Sequence, residues 1–301
     1  MATANPTTYP LSAPQVSGDQ ISVSTLLAQP TRITRYLSDL SLRNFVSSRI
    51  FSTASGVSGG AVIYDQLTLN DLFPTRDVQN VGPGDEFPIV TSENQTPKVA
   101  VTEKFGGKFF VTDEAKKRND AGVIQREGLK LINAITRKID ARAIATLDAE
   151  IAARAATQSM TGTNWSAVVT GGASQSNASA WPAADFAKAQ LLADQQELGV
   201  TFDLWLMNPA QLAQLKLVYG ADYTSVLSSY GITVVASNRI TAGTAYALVG
   251  GKVGELRLEK GLTTETWREE PRQITWVQSD VWPVMYVTDP YSVVKITGLA
   301  G

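Results

Sequence analysis

Asp113 with Glu114, and Glu269 with Glu270, are the adjacent carboxylates that come nearest to a catalytic pair. Hydrolysis by general acid and base, or the holding of a divalent metal, needs two carboxyl groups aimed at one point. Sequence neighbours seldom converge in this way, because they stand about 100° apart on a helix and point to opposite faces of a strand. Helix capping and solvation explain both pairs at least as well. Lys104 and Lys108 are the candidate amine nucleophiles, but nothing near them in sequence lowers an ammonium pKa or supplies a base. The glycine pairs Gly59-Gly60, Gly106-Gly107, Gly171-Gly172 and Gly250-Gly251 lack the Gly-Lys-Ser or Gly-Lys-Thr ending of a phosphate cradle and read as turns. The chain has no histidine and no cysteine. That removes Ser-His-Asp arrangements, thiolate nucleophiles, disulfides and cysteine-ligated metals. No residue is therefore nominated as catalytic, metal-binding or cofactor-binding.

Other charges suggest contact instead of reaction. Arg32, Arg35, Arg43 and Arg49 fall within twenty residues and face a single acid, Asp39, which makes a local basic segment in a chain of net charge -2. Phosphates or an acidic patch on a partner would suit them, and so would a solvated helical face. With 301 residues, 44% of them hydrophobic, the chain can bury a sizeable core as one large or two ordinary domains. It shows no apolar run of membrane-span length, and its start has no signal-peptide pattern, so the expected site of synthesis and assembly is cytoplasmic.

The element around which the rest is organised runs from Thr112 to Ala156. Thr112-Asp113-Glu114 supplies a cap followed by two acids, Arg118-Asn119-Asp120-Ala121-Gly122 interrupts, and a longer helix follows from Val123. Leu131, Ile135, Ile139, Ala143, Leu147 and Ile151 recur every four residues. Each step overshoots a helical turn by roughly 40°, so the apolar line winds around a rod on the order of 50 Å long and must meet different neighbours along it.

Before this helix, residues 1 to about 30 are rich in Ser, Thr, Pro and Ala and predict a tail that needs neighbouring copies to hold it. Ala61–Tyr64, Glu86–Val90, Lys98–Thr102 and Lys108–Val111 read as strands, with a chain reversal at Val81-Gly82-Pro83-Gly84-Asp85. The early strands carry little apolar surface, and an isolated two-stranded ribbon is marginal in water, so this arm needs something to lie on. Beyond a connector at Gly162–Ala180, helices from Trp181-Pro182 to Gly199 and from Asn208-Pro209 to Gly220 alternate with strands at 203–207, 232–236 and 245–249, which implies helices packed on a mixed sheet. Strands at 273–277, 284–288 and 292–296 close the chain and are expected to pair with 99–111 beside the long helix.

The run from Pro97 through Lys104-Phe105-Gly106-Gly107-Lys108-Phe109-Phe110-Val111-Thr112-Asp113-Glu114-Ala115 into the long helix resembles the major capsid proteins of tailed bacteriophages, the Hong Kong 97 type. Leu206-Met207-Asn208-Pro209-Ala210 and Asp289-Pro290-Tyr291-Ser292-Val293-Val294-Lys295-Ile296-Thr297-Gly298 are similar to that family's central strand-to-helix junction and closing strand. The resemblance implies an α+β fold with an N-terminal arm (1–55), an extended β-hairpin loop (56–98), a peripheral domain with a spine helix (99–175 and 270–301) and a mixed α/β axial domain (176–269). It further implies hexamers and pentamers of an icosahedral shell around double-stranded DNA, no catalysis and no cofactor, with the loop lying across the adjacent subunit. The start Met1-Ala2-Thr3-Ala4-Asn5 has no helical scaffolding segment, so a separate scaffolding protein is expected. A portal protein, and a decoration protein where one is used, complete the expected partners, and the four arginines are expected between subunits or facing DNA. An encapsulin-like compartment is the rival with the same fold. A histidine-free hydrolase or glycan-binding protein is the rival of another class.

Overall fold

The computed structural model describes residues 23–41, 45–54, 56–72, 74, 78–90 and 96–300. Residues 1–22 of the expected tail, and Arg43, lie outside the described residues. The described part begins with three helices: α1 (Val23–Ala28), α2 (Pro30–Ser41) and α3 (Ser47–Ile50). They are followed by β1 (Ser52–Thr53), β2 (Ala61–Tyr64), α4 (Leu69–Leu72), β3 (Lys98–Val101) and β4 (Phe105–Thr112). Next come α5 (Asp113–Lys117), α6 (Ala121–Ala153), α7 (Ala155–Gln158), β5 (Ser159–Thr161), α8 (Pro182–Asp194), β6 (Leu204–Met207), α9 (Pro209–Tyr219) and α10 (Tyr223–Ser229). The remaining strands are β7 (Thr233–Ala236), β8 (Ala245–Leu248), β9 (Gly254–Glu269), β10 (Ile274–Val287) and β11 (Val293–Thr297).

Local signals decide how the central rod begins. The Thr112 hydroxyl accepts from the Ala115 N–H at 3.3 Å and caps α5. Asn119, at φ 53°, breaks the helix, and Asp120 restarts it by accepting from the Gly122 N–H at 3.0 Å. The 33 residues of α6 then run on the order of 50 Å. Because its apolar line winds, the helix joins three cores in succession. Ile124 and Ile132 pack with Ile33 and Leu37 of α2 and with Phe109, Val111 and Val277. Ile135 and Ile139 meet Val281. Ala143, Leu147 and Ile151 meet Leu206, Leu248 and Val293.

Two sheets flank the rod. The first has the order β1-β9-β10-β4, with β10 antiparallel to both β9 and β4. The second has the order β5-β11-β8-β6-β7 and is mixed, with β6 parallel to β7 and antiparallel to β8. Every residue of β6 and β8 is buried, as expected for central strands covered on both faces. On the face of this sheet that carries α8 and α9, Trp165, Phe186, Ala189, Trp205 and Leu215 form a separate core. Asn208 caps α9 through the Ala210 N–H at 2.9 Å, Pro209 takes its first turn, and Gly220 ends it at φ 52°.

Several expectations are corrected. Strands 273–277 and 284–288 are one strand, β10, and the unforeseen β9 is its long partner. The last strand pairs with β5 and β8 in the second sheet instead of with the first. Glu86–Val90 forms no strand, since Pro88 has no N–H and no other strand runs beside it among the described residues. Helix α8 stops at Asp194, before Gly199, although Gly199 has the expected positive φ of 64°. Gly106-Gly107 is not a turn: both lie in β4, where a Cβ on Gly106 would come within 2.8 Å of the Ser279 carbonyl oxygen and one on Gly107 within 2.6 Å of Leu131 Cδ1. The described part of the arm does not wait for a neighbouring copy either. Val23, Leu27, Ile33 and Leu37 are buried against α6 and the first sheet, because Gly128 leaves a notch that Leu37 fills.

Candidate assembly surfaces

The second appendage behaves differently. β2 and β3 pair antiparallel, with Ala61 opposite Val101 and Ile63 opposite Val99, so these four side chains share one face of the ribbon. That face is uncovered: Ile63 is 73% exposed, Val99 61% and Val101 67%. The other face rests on the body through Tyr64, whose ring stacks on Tyr286 at 4.5 Å. Between the strands the chain turns at Gly82–Asp85, where the Asp85 N–H donates to the Gly82 carbonyl at 3.1 Å, and Phe87 beyond it is 78% exposed. A contiguous apolar surface on a soluble chain marks a place for a partner.

A polar clamp fixes the base of this loop. Buried Gln66 donates to Glu150 Oε2 at 2.9 Å and to the Val287 carbonyl at 3.0 Å, while Arg154 donates to Gln66 Oε1 at 2.8 Å. Glu150 also accepts from Lys98 at 3.0 Å and from Arg154 at 2.9 Å. Both ends of the loop are thus tied to α6 and β10, and the Leu67 N–H adds a bond to the Thr288 carbonyl at 2.8 Å. Burial pushes the Glu150 carboxyl up, but the hydrogen bonds from Gln66, Lys98 and Arg154 outweigh it and hold the group below the usual carboxylate range.

The residues singled out from sequence do not meet at one site. Arg32 and Arg35 lie exposed on α2 and Arg49 lies exposed on α3, none of them in an ion pair among the described residues. Asp113 pairs with Arg268 at 2.6 Å, and Glu270 reaches the same guanidinium at 3.3 Å. Glu269 takes Arg272 at 3.2 Å and the Trp276 indole N–H at 2.7 Å. The adjacent acids therefore clasp strand ends to α5. Lys108 sits over the Trp276 ring at 4.4 Å, and Lys104 over Trp282 at 5.1 Å beside buried Asp280. Burial raises the Asp280 carboxyl, and bonds from Trp282 and Lys260 more than reverse this. Among the described residues no helix is long and apolar enough to cross a membrane.

Sequence reasoning missed the clamp. Gln66 and Glu150 are 84 positions apart, and only the pairing of β2 with β3 brings Lys98 alongside them. It also missed β9, whose polar alternation Thr264, Thr266 reads as loop until Ser279 is found opposite, bonded to the Thr264 hydroxyl at 2.8 Å.

Comparison with known proteins adds to this geometry. A family model described as phage capsid protein matches residues 95–296. No curated protein matches the chain. Among solved structures, one from Mycobacterium phage Bobi superposes with a TM-score of 0.59 at 11% identity, covering 86% of this chain and 89% of that one. A virus-like particle from Pyrococcus furiosus gives 0.58 at 12% identity, covering 89% and 99%. The capsid of cyanophage P-SCSP1u gives 0.54 at 15% identity, covering 84% and 87%. At these identities the likeness is one of fold.

Proposed function

Since the chain belongs to the phage capsid protein family, we propose that it is the subunit from which a phage head is tiled, as hexamers and pentamers enclosing double-stranded DNA. Its fold is the Hong Kong 97-type capsid fold, and its place is the virion capsid. Its work is structural, with no reaction catalysed, and it assembles in the host cytoplasm with a separate scaffolding protein, a portal and, where used, a decoration protein. The proposed division is an arm over 1–55, a loop over 56–98, a peripheral domain over 99–175 and 270–301, and an axial domain over 176–269. Arg32, Arg35, Arg43 and Arg49 are proposed to lie between subunits or toward the packaged DNA.

The observation that carries this reading is the uncovered apolar face of β2 and β3, on a loop whose base is firmly clamped. A rigidly presented apolar ribbon suits a second copy of the chain, and closed symmetry repeats each modest contact many times. The double variant Ile63→Lys/Val99→Lys should keep the wild-type melting temperature yet elute as small oligomers, while the wild type forms shells visible by negative-stain microscopy. Shells of normal yield from the variant would refute it. Particles that contain protein cargo and no nucleic acid would favour the encapsulin-like rival.

A further inference from the structure

The exposed side of α6 carries charge that no described residue pairs with. Every acid on this helix is engaged. Glu127 pairs with Lys130 at 2.7 Å, and buried Asp140 accepts from the Val46 and Ser47 N–H groups at 3.1 and 3.0 Å. Asp148 takes Lys295 at 2.7 Å, and Glu150 belongs to the clamp. Of the helix's cations, Arg142 reaches Glu103 at 2.7 Å. Arg126, Arg137 and Lys138 are exposed and make no ion pair among the described residues.

Helical geometry lines these groups up. Arg126, Lys130 and Arg137 fall within about 40° of one another around the axis, opposite the buried Ile124, Ile132 and Ile135, and span roughly 16 Å along it. α2 packs onto the opposite, buried half of the helix, where its Leu37 meets Gly128, and it carries Arg32 and Arg35 exposed and without an ion pair among the described residues. Among the described residues, α6 and the helix packed on it thus expose five cations without an ion pair, in a chain of net charge -2. Lys104 and Lys260, by contrast, lie beside the Asp280 carboxylate.

We propose that these cations (Arg126, Arg137 and Lys138 of α6, with Arg32 and Arg35 of the packed α2) meet the phosphates of double-stranded DNA. The inference rests on the shell reading above and adds which side of the subunit faces the contents. Spread arginines and lysines without an apolar anchor suit a polyanion read by its backbone. A protein partner would require a clustered aromatic or aliphatic centre, and beside the stripe of Arg126, Lys130, Asn133 and Arg137 a single Leu129 is exposed among the described large apolar residues of α6.

The test is the salt dependence of binding to a labelled duplex of random sequence, measured by fluorescence anisotropy with the full chain. Each phosphate neutralised contributes about -0.9 to the slope of log Kobs against log salt, so Arg126→Gln/Arg137→Gln/Lys138→Gln should flatten it by roughly 2 to 3. Adding Arg32→Gln and Arg35→Gln should flatten it further, whereas Lys104→Gln/Lys108→Gln on the opposite face of the first sheet should leave it unchanged. An unmoved slope in the triple variant, or an equal loss in the Lys104 and Lys108 variant, overturns the inference. So does an unmoved slope with lost particle yield, which would assign the stripe to an acidic protein. Microscopy of the same preparations keeps the two readings apart, because shells without the slope change leave the capsid reading standing, and an absence of shells removes it.

Discussion

Glu150→Gln isolates the charge in the clamp while keeping its shape. The amide still offers an oxygen to Gln66, but Lys98 and Arg154 lose an ionised partner at 3.0 and 2.9 Å. Lys98 is 43% exposed, so its share is at the surface scale of about 0 to 1 kcal/mol. Arg154 is four-fifths covered, and exchanging its charge-assisted bond for a neutral one costs about 1 to 1.5 kcal/mol. The expected loss is about 2 kcal/mol of local stability, or roughly 30-fold in an opening equilibrium. Hydrogen exchange at Leu67, whose N–H is bonded to the Thr288 carbonyl, reads that opening directly. The pH dependence follows from the lowered Glu150 carboxyl: the clamp is at full strength above the ordinary carboxylate range, near pH 4, and is lost as pH falls through the still lower folded value. Corrected for intrinsic exchange, protection at Leu67 should fall with acid in the wild type and stay flat in the variant. Equal protection of the two proteins at neutral pH would refute the clamp as the anchor of the loop.

Gly254→Ala should cost about 3 kcal/mol or more, because its Cβ would come within 2.1 Å of the Tyr286 carbonyl oxygen, a backbone atom that cannot turn aside. Gly107→Ala meets only the end of Leu131 at 2.6 Å and should cost about 1 kcal/mol; denaturant midpoints rank the two. Asp185→Ala should cost about 3 kcal/mol by chemical denaturation, since buried Asp185 Oδ2 accepts from the Thr163 N–H, the Thr163 hydroxyl and the Trp165 indole at 2.8 to 2.9 Å. Leu206→Ala, at a fully buried position between α6 and the second sheet, should cost about 2 to 5 kcal/mol and lower the melting temperature without altering the oligomers of correctly folded protein.

What sequence could tell about this fold divides by the range of the interaction. The start, break and restart around Thr112, Asn119 and Asp120 are written in side chains that bond to backbone two or three positions away, so they were legible. The winding line on α6 was legible as periodicity, and the three cores it joins follow from that winding. Strand partners were not. β11 resembles its predecessors in composition, and only the crossing of α6 to the second sheet places it beside β5 and β8. Gly106-Gly107 looked like a turn because the crowding that demands glycine comes from Ser279 and Leu131. The arginines were legible as a group, but their place next to the long helix required Gly128 and Leu37 to bring α2 onto α6.

The two appendages illustrate different balances. The described arm has a narrow apolar stripe, Ile33 and Leu37, and a place on its own chain to bury it, so neighbours are not needed for that segment. The loop has Ile63, Val99, Val101, Phe87 and Ile89 exposed and a base held by charge. If a second copy covered those five side chains, burial at about 1.5 to 3 kcal/mol each would contribute on the order of 7 to 15 kcal/mol. Two subunits lose about 4 to 15 kcal/mol of freedom on meeting, so one such contact lies near balance. A near-balanced contact forms reversibly between two molecules and becomes decisive when a closed shell makes each subunit both donor and receiver. A clamp that holds the ribbon in one orientation lowers the ordering cost of each contact, which is why loss of Glu150 should weaken assembly even though that carboxylate lies at the base of the loop, away from the exposed ribbon face.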